Sequence, residues 1–197
     1  MKNAPIPSRV RFPVALALAA SMCAASASGS VVRALSLPQL VEQSDAVVVA
    51  SVESAASSWL GGRIVTDSVV VVGDGLDGAS ANARLVVRTL GGEVDGIGQR
   101  VFGEPQLRAG ERYLLFLEAY PGASAGSSTA LFRPVGMSQG ALPVIEGPDG
   151  ANVAPNPDLP ELVEPGAEMS VGPWLDAPRP LADVLKEVRA ALPPAGK

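Results

Sequence analysis

Two valine-rich runs, "AVVVASV" at residues 46–52 and "IVTDSVVVV" at residues 64–72, constrain the fold of this chain more than any other feature. β-Branched side chains lose rotamer freedom in a helix and pack well on a pleated sheet, so both short runs are expected to be strands. The segment between them contains "SSWLGG" (residues 57–62), which reads as the loop of one long β-hairpin. Valines fall on both parities of each run, so neither strand has a readable solvent face. That is the pattern of strands covered on both sides.

Further strands follow at short intervals. Arg84 to Leu90 alternates cleanly, with Leu85 and Val87 on one face and Arg84 and Arg88 on the other. "RYLLFLE" (residues 112–118) follows the turn-like Ala109-Gly110-Glu111; Ala130 to Met137 gives a fifth strand and Ala141 to Ile145 a short sixth. Five or six short strands separated by glycine turns predict a mainly β fold, a small closed or partly closed β-barrel over residues 35–146. Helix enters only at the ends. Ser36-Leu37-Pro38-Gln39 carries the signature of a short N-terminal helix, with Ser36 as cap, Pro38 in the first turn and Gln39 returning a hydrogen bond. Leu181, Val184, Leu185, Val188 and Leu192 recur at helical spacing and predict a C-terminal amphipathic helix over residues 179–193, packed on the barrel. Between barrel and helix, residues 147–178 hold seven prolines and six acidic residues with no basic one, the composition of an extended arm.

The N-terminus has the order of a secretory signal peptide: Lys2, Arg9 and Arg11, an apolar run from Phe12 to Ala20, then Ala25-Ser26-Ala27. Cleavage is expected after Ala27, giving an exported chain, periplasmic or extracellular. The apolar run is shorter than the roughly 20 residues of a membrane-spanning helix, and no span is expected in the mature chain. Removing those three from the 15 basic residues leaves 12 against 20 acidic ones, a balance that argues against a nucleic-acid partner. Cys23, the only cysteine, leaves with the signal peptide, and the sequence has no histidine. Ser-His-Asp and Cys-His catalysis, and zinc sites built on imidazole or thiolate, are thereby excluded. No metal or other cofactor is expected.

The densest motif is "LGGEVDGIGQRVFGEP" (residues 90–105). A dinucleotide cradle needs G-x-G-x-x-G opening a helix, but Val101 stands where the third glycine belongs. A phosphate loop needs G-K-[ST], and the stretch has no lysine. What remains is a structured loop in which Gly91, Gly92, Gly96, Gly98 and Gly103 permit positive φ or close backbone approach, with polar members Arg100, Glu104 and Gln106. Asp95, Gln99, Arg100 and Glu104 are its candidate partner-binding residues. Trp59 is a candidate aromatic anchor, either exposed in the first hairpin or capping one end of the barrel. Glu93, Asp95 and Glu104 leave open a carboxylate-based chemistry.

The segments "SLPQLVEQSDAVVVASVES", "GRIVTDSVVVV", "VVRTLGGEVDGIGQRVFGEPQLRAGERYLLFL" and "VGMSQG" resemble a family of exported bacterial proteins of unknown function. The order of elements also resembles the OB-type barrel of tissue metalloproteinase inhibitors and netrin modules. This second resemblance implies an OB-like barrel with the glycine stretch between its third and fourth strands, where such barrels often carry a helix. It does not carry over the inhibitors' zinc-binding N-terminal cysteine, because the mature chain has none. Together these readings lead to an exported, non-catalytic binding module for a protein or envelope partner, such as an inhibitor or accessory of a secreted enzyme. Two alternatives stay open: a carboxylate-based hydrolase acting on glycans, and a structural cell-envelope protein.

Overall fold

The computed structural model describes residues 31–121, 130–163 and 172–193. The expected signal peptide, residues 1–27, lies outside the described residues. Strand β1 (Val31–Arg33) and helix α1 (Leu37–Glu42) lead into two 15-residue strands, β2 (Ala46–Leu60) and β3 (Arg63–Asp77), paired as one antiparallel hairpin. The turn is Gly61-Gly62, with φ of +57° and +78°, the left-handed pair that a two-residue hairpin favours. "SSWL" therefore belongs to the strand and not to a loop. In α1, Gln39 Oε1 accepts from the Ser36 N–H at 2.9 Å, the reciprocal half of a capping box.

The chain continues through β4 (Arg84–Val94), β5 (Ile97–Arg100), β6 (Arg112–Ala119) and β7 (Leu131–Pro134). After a 3-10 turn at Met137–Gly140 come β8 (Ala141–Gly147), β9 (Gly150–Val153), β10 (Glu161–Val163), β11 (Arg179–Pro180) and helix α2 (Leu181–Ala191). The fold is mainly β. Strand β2 pairs with β3, β3 with β4, β4 in parallel with β7, β7 with β6, and β6 back with β2, so five strands close a ring. Strands β8, β9 and β11 extend the sheet outward from β6.

Both parities of the first valine run are buried because the sheet has apolar material on both sides; in the second run Val70 and Val72 are buried, and Val69 and Val71 are half-buried. Val48, Val70, Val72, Val87, Leu115 and Leu117 share one cluster inside the ring. Val47, Val49, Leu114 and Phe116, on the other parity, pack with Val144 and Val153 beneath Leu40 and Val41 of α1 and Val184, Leu185 and Val188 of α2. The Trp174 ring meets Phe116 edge-on with centroids 6.1 Å apart.

Residues 147–163 do not form an arm separate from the sheet. β9 pairs with β8, β10 pairs in parallel with β1, and Val153 and Leu162 are buried. Asn156, only 4% exposed, donates from Nδ2 to the Ala141 carbonyl at 2.5 Å. Proline and acid dominate the average of this stretch, yet a few apolar anchors and one buried amide are enough to seat it. Residues 164–171 of the expected arm lie outside the described residues.

Candidate functional site

The glycine stretch is a second β-hairpin. β4 runs through Gly91 and Gly92 to Val94, and β5 returns against it with Gly91 opposite Arg100 and Val94 opposite Ile97. Asp95 and Gly96 make the turn at φ +52° and +76°. The expectation of a structured loop without strands is corrected here: Asp-Gly flanked by Val94 and Ile97 is a hairpin signal, overshadowed in the sequence by the surrounding glycines.

Gly91 and Gly92 are required by what lies beside them. A Cβ on Gly91 would stand 2.6 Å from the Gln99 carbonyl oxygen. One on Gly92 would collide with Ser57 Oγ and Thr66 Oγ1. Those hydroxyls tie the first hairpin to the second: the Glu93 N–H lies 3.4 Å from Ser57 Oγ, Ser57 Oγ is 2.9 Å from Thr66 Oγ1, and Thr66 Oγ1 donates to the Gly91 carbonyl at 2.7 Å. Gly103, at φ +86°, packs against Met137 and Pro160. Gly98 has neither a positive φ nor a close neighbour, so the conformational role expected for it has no counterpart in the structure.

The hairpin and residues 101–108 enclose a cleft of about 470 Å³. Several of its polar side chains are held in place. Gln99 Oε1 accepts from the Ile64 N–H at 2.8 Å, leaving its Nε2 group free of that bond. Arg100 Nη2 donates to Asp158 Oδ1 at 2.5 Å, and Asp158 Oδ2 also accepts from the Gln106 N–H at 3.3 Å. Asp158 is fixed in turn by its own N–H, which donates to Asn156 Oδ1 at 2.9 Å. Behind the cleft, the buried Tyr113 hydroxyl stands 2.5 Å from Glu111 Oε2 and 3.1 Å from the Gln106 carbonyl; burial, reinforced by Glu111, holds its proton well above the usual phenol range.

Glu104 is the distinctive group. Its Oε2 accepts from the Leu90 N–H at 3.2 Å, and desolvation raises its pKa above the ordinary carboxylate value, against the lowering pull of that bond and of Arg133. A carboxyl in this environment accepts hydrogen bonds when ionised and gains a donor when protonated.

The structure thus brings Gln99, Arg100 and Glu104 together on one cleft, with Gly91, Gly92 and Gly98 in its wall. It leaves two candidates elsewhere. Asp95 sits in the hairpin turn, and Trp59, at 49% exposed, lies near the tip of the first hairpin. Sequence reasoning missed Thr66, Thr89, Arg108 and Asp158. Nothing in the local sequence marks Asp158, which reaches the cleft from 58 positions beyond Arg100. Among the described residues, no group of three His, Cys, Asp or Glu side chains is placed to hold a metal ion, and no helix is long and apolar enough to cross a membrane. No protein-family model matches the chain, and no curated protein sequence matches it either.

Proposed function

We propose that this chain is an exported, non-catalytic binding module with an OB-like barrel, and that it takes a protein partner in the cleft of the glycine hairpin. The barrel reading is supported by the ring order. Numbered along the chain, the ring strands β2, β3, β4, β6 and β7 run first, second, third, fifth, fourth and back to first, with the third and fifth parallel. That is the order of an OB barrel, whose second and third strands form the usual ligand face. Thr66 on β3 and Thr89 on β4 bring the cleft onto these two strands.

The observation that carries the binding reading is preorganisation. Gln99, Arg100 and Glu104 are each fixed by a hydrogen bond from or to another segment before any ligand arrives, which lowers the entropy cost of binding. Beside them Ile97 and Phe102 expose 55% and 56% of their surface, the apolar complement of a polar cleft.

One observation favours the glycan-hydrolase alternative: Glu93 and the pKa-raised Glu104 line the same cleft. Against it, among the described residues no aromatic side chain lines that cleft to stack on a sugar.

A pull-down from secreted and periplasmic fractions, read by mass spectrometry, tests the proposal with Arg100→Ala/Glu104→Ala as control bait. A stoichiometric partner captured by the native chain and lost from the double variant is the expected result. Retention by both baits would move the site elsewhere, and turnover on a glycan panel abolished by Glu104→Gln would replace the binding reading with the hydrolase.

A further inference from the structure

The two hairpins differ in how they end. On the side away from β3, β2 is paired with β6 only as far as Ser51, and Val52 closes that side by bonding Gly110 and Glu111. Beyond it, from Glu53 to Leu60, β2 pairs with β3 alone among the described residues. The free edge is eight residues long, roughly 27 Å at the rise of a strand.

In a two-residue hairpin the residues flanking the turn bond each other, so Leu60, Ser58 and Ala56 face β3 with their backbone groups. The N–H and C=O groups of Ala55, Ser57 and Trp59 then point outward. Natural edges of this length are blunted with lysine, proline or inward charge. Here the sequence is Glu-Ser-Ala-Ala-Ser-Ser-Trp-Leu, with no proline and no lysine. Its single charge, Glu53, is neutralised by a two-pronged contact with Arg84 at 2.9 and 3.0 Å.

We propose that this edge pairs with the same edge of a second copy of the chain, giving a dimer with one continuous sheet. Three features select a second copy as the occupant. First, the chain carries a net charge of −5, so two copies repel except across a neutral surface, and Ser54 to Leu60 is uncharged. Second, an edge is self-complementary in an antiparallel pair about a two-fold axis, each outward N–H meeting an outward C=O of the copy. Third, the five residues Ser54 to Ser58 are all serine or alanine, so none of them presents a bulky side chain to an approaching identical strand. Pairing centred near Ala56 lays the exposed Trp59 and Leu60 of each copy alongside the other's β2. Trp59 thereby has a role outside the glycine-hairpin cleft.

The test is the mass of the purified protein by sedimentation and light scattering over a wide concentration range, with two variants. Ala55→Pro removes an outward donor that β3 does not use, and Ala56→Lys places a charge on the neutral edge. The expected result is a dimer whose fraction rises with concentration in the native protein and whose dissociation constant increases at least about tenfold in each variant. Circular dichroism and the thermal midpoint report whether each variant is folded. If Ala55→Pro fails to fold, Ala56→Lys decides alone. A native protein that stays monomeric throughout, or folded variants that dimerise as tightly as the native chain, overturns the proposal.

Discussion

The two halves of β2 belong to one strand and have opposite surroundings. From Ala46 to Ala50 every residue is buried, because one parity fills the ring and the other lies under the helices. From Glu53 to Leu60 no residue is buried, and only Ser57 is partly covered. Backbone pairing to β3 runs through both halves. Pairing alone therefore does not make a core; the difference comes from what stands above and below the sheet. It also divides labour: the proximal half contributes stability, and the distal half contributes contact surface.

The largest effect should come from breaking the proximal half. Phe116 lies opposite Val47 and is fully buried, so Phe116→Ala is expected to cost about 3–5 kcal/mol in urea unfolding. Next is the junction of the two hairpins. Gly92→Ala would drive a methyl into Ser57 and Thr66 at φ +132°, for a cost of about 1–3 kcal/mol and a loss of amide protection at Gly91 and Glu93 in hydrogen exchange.

Glu104 gives a smaller, pH-dependent effect. Its raised pKa means that the folded state holds this proton more tightly than the unfolded chain does. Just above the ordinary carboxylate value the folded state binds more protons, so its stability should fall as pH rises through that window and be greatest below it. Glu104→Gln should flatten this slope, and thermal midpoints measured from pH 4 upward would show it. Least affected should be Ser58→Ala, within about 0.5 kcal/mol of the native chain, since the side chain is exposed and has no hydrogen-bond partner among the described residues. A large loss of stability there would contradict the division between the halves.

Much of the strand content was legible because valine clustering and alternation are local signals. The hairpin of β2 and β3, the alternation in β4 and the apolar run of β6 could all be placed on that basis. The glycine stretch was misjudged at the level of regularity, although the turn residues Asp95 and Gly96 were in view. Residues 147–163 were misjudged for the converse reason: Val153, Asn156 and Leu162 gain their importance from partners far away in the chain, and composition averages over them.

For the candidate site, sequence placed Gln99, Arg100 and Glu104 on one short stretch, since neighbours in a hairpin remain neighbours in space. It also excluded, without any structure, every chemistry that needs histidine. Only the tertiary structure decided that Asp158 holds Arg100, that burial raises Glu104, and that Trp59 stands apart from them. Burial and long-range pairing depend on the whole ring having closed, and no window of sequence contains that information.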